Sequence, residues 1–155
     1  MIQSVKPAPT DETDGLPMPK RIWAVISVGF ALCMSVLDVN IINIVLPTLS
    51  HDFGTSPAVT TWIINGYQLA IVVSLLSFSA LGEIIGYRKV YLSGIGLFCI
   101  TSLICALSDS FWTLTIARIF QGFSASAITS VNTAQLRYIY PKSQLGRGMG
   151  INAMV

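Results

Sequence analysis

Charged positions divide the chain into long apolar blocks. No Asp, Glu, Lys or Arg occurs from Phe53 to Gly82, from Val90 to Ser108 or from Ile119 to Leu136. An earlier block, Ile22 to Leu46, holds a single charge, Asp38. A helix needs about 20 apolar residues to cross the hydrocarbon core of a bilayer. The pattern therefore predicts an all-α integral membrane protein with four transmembrane helices, at about 22–46, 57–81, 90–107 and 111–136, the last containing Arg118. Pro47 is read as the stop of the first helix. Ser56 and Pro57 suit the cap and first position of the second. The short connection from Gly82 to Lys89 makes helices two and three an antiparallel hairpin. The turn Ser108-Asp109-Ser110 caps the fourth helix, and Tyr140-Pro141-Lys142 breaks the chain after it.

A fifth apolar segment opens at about residue 149. From Met149 to Val155 it reaches only about 10 Å at 1.5 Å per residue, so it does not cross a bilayer alone. The expectation is that residues 22–155 are a partial N-terminal bundle, either of a longer protein or of a truncated one. Residues 1–21 are polar, with four prolines and the acidic run Asp11, Glu12, Asp14. They lack hydrophobic periodicity and are expected to form a disordered tail.

Composition agrees with the pattern. Of 155 residues, 53% are hydrophobic and 10% charged, whereas a soluble domain carries about 25% charged residues. The net charge of +2 matters less than its placement. With the tail assigned to the cytoplasm, Lys6, Lys20, Arg21, Arg88, Lys89, Arg137, Lys142 and Arg147 all fall inside and none falls outside. This is the positive-inside distribution, and it points to a multi-pass protein of the inner membrane with a cytoplasmic N-terminus. No basic patch remains to suggest a nucleic-acid partner; the bilayer is the partner. Trp62 and Trp112 fall at the expected outer ends of helices, and Trp23, Tyr87, Tyr91, Tyr138 and Tyr140 near inner ends, where amphipathic rings favour the headgroup level. Cys33, Cys99 and Cys105 lie within spans, lack metal-ligand spacing and read as small apolar residues.

Candidate chemistry rests on the charges that the apolar blocks tolerate. An ionisable residue inside a span is costly and marks a functional site by default. Asp38 is one: a carboxylic acid in a partly dry site can take up and release protons. Arg118 is the other, read as a fixed positive charge facing the bundle interior beside an acid, with Gln121 and Gly122 on its face. Asn40 and Asn43 share a face with each other but not with Asp38, and are expected to hydrogen-bond between helices or to line a pathway. Tyr67 and Gln68 are candidates for lining a cavity. The run Gly122, Ser124, Ala125, Ser126, Ala127, Thr129, Ser130 suits close helix packing. In the second connection Gly86 suits a tight turn, and Glu83 with Arg88 suits an ion pair or a helix-end charge contact across it, while the plainer reading is an ordinary positive-inside loop. No nucleotide loop, dinucleotide fingerprint, metal cluster or nucleophile–base set appears, so no enzyme is read here. His51, the sole histidine, sits in an outer loop.

Three segments resemble a known family. Leu37-Asp38-Val39-Asn40-Ile41-Ile42-Asn43-Ile44-Val45-Leu46-Pro47 resembles the first-helix motif L-D-x-T-I-V-N-V-A-L-P of the drug:proton antiporter branch of the major facilitator superfamily, the 14-helix multidrug exporter type. Ser79 to Lys89 resembles that superfamily's loop motif G-x-L-A-D-R-x-G-R-K. Ala117-Arg118-Ile119-Phe120-Gln121-Gly122 resembles its fourth-helix motif with R-x-x-Q-G. The resemblance implies that Asp38 is a membrane-embedded proton site and that Arg118 assists proton transfer. It also implies that Gly82, Glu83, Gly86, Arg88 and Lys89 belong to a cytoplasmic gate used in alternating access. The implied activity is antiport of small amphipathic compounds or drugs against protons, with the proton gradient in place of any cofactor and with further C-terminal helices needed to complete the transporter. Asn40 departs from the usual Thr, and Ser79, Glu83, Ile84 and Tyr87 depart from the loop motif.

Two other readings compete with it. One is a self-contained four-helix transporter working as an oligomer, like small multidrug-resistance proteins with one acid in the first helix. The other is a membrane fragment that does not transport.

Overall fold

The structure, a computed structural model, describes residues 17–140 and 144–152. The expected tail lies mostly outside the described residues. In chain order the helices are α1 (Met18–Asp52), α2 (Pro57–Thr60), α3 (Trp62–Ile85), α4 (Tyr87–Ala106), α5 (Phe111–Ile139) and α6 (Leu145–Asn152). Among the described residues there is no strand.

Helix boundaries differ from those the sequence predicts at the prolines. Helix α1 starts before Ile22, with Pro19 in its first turn, where a missing N–H leaves no bond unmade. It then runs through Pro47 to Asp52 instead of stopping. In hydrocarbon, breaking a helix exposes several backbone polar groups, while keeping it costs one missing bond, so an internal proline is tolerated. The second expected helix is interrupted at Thr61, but that residue keeps helical torsions (φ −59°, ψ −23°), and Thr61 Oγ1 donates back to the Pro57 carbonyl at 2.8 Å. Segments α2 and α3 thus form one rod from Pro57 to Ile85. The side chain of Ser56 caps it by accepting from the Val59 N–H. Helix α4 begins after a single-residue turn at Gly86, whose φ of 99° is open only to glycine at low cost. The fifth apolar segment is helical from Leu145, four residues before the expected start.

Three rods are long and apolar enough to cross a membrane: α1, α2–α3 together and α4. Helix α5 is different in composition and in place. Its 29 residues reach about 43 Å, long enough to span. It carries Arg118, Gln121 and a run of Ser and Thr because it lies in the middle, packed against α3 and α4 along its length and touching α1. The small residues buried there, Ala117, Gly122, Ser124, Ala125, Ser126 and Ala127, let neighbouring backbones come close. A Cβ on Gly122 would lie 2.5 Å from the Tyr67 carbonyl oxygen, and one on Gly94 would lie 3.2 Å from that of Ser124. Lipid tails are as apolar as leucine, so close contact between small residues, rather than hydrophobic burial, holds such helices together.

Many large apolar side chains accordingly face outward. Phe30, Leu37, Ile44, Val72, Leu76, Ile100 and Leu103 are all exposed on the bundle, which is the surface a bilayer requires. Trp23, Trp62, Trp112 and Tyr138 are exposed as well. Tyr91 is a correction: it is buried, and its hydroxyl donates to the Ser27 carbonyl of α1 at 3.2 Å, so it ties two helices together instead of sitting in an interfacial belt. One end of the bundle carries Lys20, Arg21, Arg88, Lys89 and Arg137; the opposite end carries His51, Asp52 and Asp109. His51 pairs with Asp52 at 3.5 Å, both largely exposed, a contact of little energetic weight.

Candidate functional site

Asp38 lies near the middle of α1, about 30 Å along the axis from Met18. Arg118 lies two turns into α5. The packing of α1 on α5 brings them together. Arg118 Nη1 donates to Asp38 Oδ2 at 2.7 Å, with side chains 3% and 20% exposed. Two opposite charges at such depth stabilise each other in a way that surface pairs do not. At a 4 Å separation and an effective dielectric of about 20, the attraction is on the order of 4 kcal/mol.

Gln121, one turn beyond Arg118 on α5, completes a closed triangle. Its Oε1 accepts from Arg118 Nη1 at 2.8 Å, and its Nε2 donates to Asp38 Oδ1 at 3.1 Å. The carboxylate is therefore held by a cation at one oxygen and a neutral N–H at the other. Tyr67 of α3 supplies the floor: the Arg118 guanidinium carbon lies 4.8 Å from the centre of its ring, a cation–π distance. Arg118 Nε is buried and has no hydrogen-bond partner among the described residues, so the guanidinium is held by one nitrogen and by the ring face.

Sequence reasoning missed two members, both on α4. Ser102 Oγ accepts from Gln121 Nε2 at 2.7 Å, and the Cys105 thiol donates to Gln121 Oε1 at 3.5 Å. Cys105, which its sequence setting predicts to be a small apolar filler, is instead a polar partner, three residues from Ser102 and thus on the same helix face. That i, i+3 spacing of two weak polar groups was the only available signal.

The remaining predicted positions lie elsewhere. Asn40 and Asn43 make no bond to another helix: their Nδ2 groups donate to the carbonyls of Val36 and Val39 on α1 itself, at 2.8 and 3.1 Å, and both side chains are exposed on the bundle. Four residues back along a helix is the nearest acceptor, and it satisfies the amide locally. Gln68 is exposed on α3 in a shallow groove of about 370 Å³ with Trp62, Asn65, Leu69 and Val72, apart from its buried neighbour Tyr67. The loop residues Gly82, Glu83, Gly86 and Arg88 line a cleft of about 890 Å³ at the basic end, together with Lys20, Tyr91 and Gln135. Lys20 and Asp38 are about 27 Å apart along α1, so this cleft and the ion pair are separate sites. Lys89 is exposed beside the cleft. Of the readings open to Glu83 and Arg88, the ion pair is not formed: among the described residues the buried ion pair is Asp38–Arg118. The two side chains leave from opposite sides of the Gly86 turn and both reach open surface.

A bundle that turns many large apolar side chains outward and closes four helices around one charged triangle is a multi-pass membrane protein with a polar cluster in its interior. The chain belongs to the Major Facilitator Superfamily, whose sequence model matches residues 28–155. Among curated relatives, it is 50% identical over 147 residues to the uncharacterized transporter YebQ of Escherichia coli (strain K12), covering 95% of this chain and 32% of that protein. It is 32% identical over 127 residues to the drug efflux pump JefA of Mycobacterium tuberculosis, covering 82% of this chain and 25% of the pump. It is 31% identical over 147 residues to the tetracenomycin C resistance and export protein of Streptomyces glaucescens, covering 94% of this chain and 27% of the relative. The chain thus spans about a third or less of the length of these relatives.

Proposed function

We propose that this protein works as the proton-coupling part of an antiporter that exports drugs or other small amphipathic compounds across the inner membrane by alternating access, with its N-terminus in the cytoplasm. The observation that carries the proposal is the buried Asp38–Arg118 pair between α1 and α5. Family membership supports transport over catalysis, and it favours a facilitator bundle over a self-contained four-helix oligomer. Two of the relatives described above are named for efflux or export.

The coupling step follows from competition for one carboxylate. Unprotonated, Asp38 holds Arg118 and ties α1 to α5. A proton on Asp38 cancels its charge and removes the Coulomb attraction. Arg118 keeps Gln121 and the Tyr67 ring, so it has somewhere to remain while α1 is released. Proton arrival and departure thereby loosen and tighten one helix against the central one. The driving force is the proton gradient, with no cofactor beyond it. The cleft at the basic end, with Gly82, Glu83, Gly86, Arg88 and Lys89, serves as the cytoplasmic gate in this scheme. The exposed faces bearing Asn40, Asn43 and Gln68 border the substrate path, completed by further helices.

Vesicle transport tests this directly. In everted membrane vesicles, efflux by the wild-type protein is expected to rise when a pH gradient is imposed. Asp38→Asn, which keeps the shape of the neutral, protonated acid but can neither ionise nor titrate, is expected to lose that stimulation at least about 100-fold, the cost of removing a general proton donor–acceptor. A variant that responds to the gradient as wild type does removes Asp38 from the coupling step.

A further inference from the structure

The Gln121 amide has every hydrogen-bonding site filled. Its two N–H groups go to Asp38 Oδ1 and Ser102 Oγ, and its oxygen accepts from Arg118 Nη1 and from the Cys105 thiol. A primary amide has two donors and two lone pairs, so none is left over. Two of the four partners belong to the ion pair on α1 and α5, and the other two belong to α4. A flipped amide would aim its NH₂ at the Arg118 N–H and its oxygen at the Asp38 carboxylate, donor against donor and acceptor against acceptor. Ser102 and Cys105 hold the amide from the other side: the hydroxyl oxygen takes the N–H, and the thiol gives its hydrogen to the oxygen.

We infer that Ser102, assisted by Cys105, is a positioning residue for the proton site: through Gln121, helix α4 sets how strongly the Asp38 carboxylate is held in its charged form. The inference rests on the proton-coupling reading and adds to it a third helix. Ser102 touches neither the proton nor the carboxylate. It fixes the amide whose N–H supports the charged carboxylate. Without it, the amide loses its 2.7 Å anchor on α4, sits less firmly, and its donor spends less time on Asp38 Oδ1. Protonation of Asp38 then becomes easier, at a higher pH. Any rotation of α4 against α5 that pulls Ser102 from Gln121 has the same effect, which gives movement of this helix a direct route to proton affinity.

The test is an infrared titration of the full chain in lipid nanodiscs, following the C=O band of the protonated Asp38 carboxyl, identified by its loss in Asp38→Asn. In Ser102→Ala the midpoint at which this band appears is expected to move up by about half to one pH unit, the scale of one hydrogen bond to a charged group partly lost. Ser102→Thr, which keeps the hydroxyl, is expected to restore the wild-type midpoint, and Cys105→Ala to move it less than Ser102→Ala. In a Gln121→Leu background, Ser102→Ala is expected to have no further effect, because the route through the amide is gone. An unchanged midpoint in Ser102→Ala, or equal additive shifts with and without Gln121, overturns the positioning role while leaving Asp38 as the proton site. Absence of any titrating Asp38 band in the wild type overturns the coupling reading itself. Thermal unfolding of each variant in the same nanodiscs separates loss of fold from loss of positioning: Ser102→Thr and Cys105→Ala keep the comparison open should Ser102→Ala unfold.

Discussion

Arg118→Ala is expected to destabilise the bundle by about 3–5 kcal/mol, the range for removing one partner of a buried pair and leaving the other charge uncompensated. The loss has three parts. The Asp38 carboxylate loses its cation at 2.7 Å, the Gln121 oxygen loses a donor at 2.8 Å, and the Tyr67 ring loses the guanidinium above it. Thermal unfolding in mild detergent measures it. The sharper measurement is the double variant Arg118→Ala with Asp38→Asn. That variant leaves no lone charge in the apolar interior, so it is expected to regain most of the lost stability. If the double variant is as unstable as the sum of the singles, the two groups do not act as a pair. Gradient-stimulated transport is expected to be lost in the single and double variants alike, because in the proposed scheme the arginine is the competitor that gives the proton something to displace.

Gly122→Ala is expected to have the second largest effect, from a single methyl group. A Cβ there meets the Tyr67 carbonyl oxygen at 2.5 Å and the Ala70 Cβ at 2.8 Å. Both belong to the α3 backbone or lie next to it, so no side-chain rotation relieves the clash and the two helices must separate. Overpacking of this kind costs about 1–3 kcal/mol, against a gain of about 1 kcal/mol from replacing glycine by alanine in a helix. The net loss of stability is therefore modest, while the functional loss is expected to be large: Tyr67, the ring under Arg118, is carried by the very segment that is displaced. Gly66→Ala at the same interface is the control. Its Cβ meets only the Ile119 side chain, Cγ1 at 3.1 Å and Cδ1 at 3.5 Å, a contact relieved by a shift of a few tenths of an ångström, and it is expected to be close to neutral. Equal transport and equal stability in the two variants would show that the α3–α5 spacing does not matter to the site.

The charged members of the site were legible because apolar blocks make charges conspicuous. Asp38 and Arg118 stand out by type alone, and Gln121 follows Arg118 at helical spacing. Ser102 was not legible. Serine and threonine are common in these helices, and most satisfy themselves on their own backbone, as Ser35 does on Ala31, Ser74 on Ala70 and Thr101 on Leu97. Only the weak i, i+3 spacing of Ser102 and Cys105 separates those from the hydroxyl that faces Gln121 across a helix interface. Asn40 and Asn43 failed in the opposite sense: amide side chains suggested cross-helix bonds, but the helix offers each an acceptor four residues back. The fold was legible in its spans and misread at its ends, where Pro47 proved weaker than the need to keep backbone groups bonded in hydrocarbon. The central place of α5 was written in its small residues, which make a poor lipid surface and a good packing seam.

The account depends most on a proton and Arg118 competing for Asp38. Solid-state NMR on the protein in bilayers, with the Asp38 carboxyl carbon labelled by ¹³C and the Arg118 guanidinium by ¹⁵N, reports both events in one sample. The carbon shift reads protonation, and the dipolar coupling between the labels reads contact. The account predicts strong coupling at high pH that disappears over the same pH interval in which the carboxyl becomes protonated. A coupling that persists unchanged once Asp38 carries its proton would contradict it.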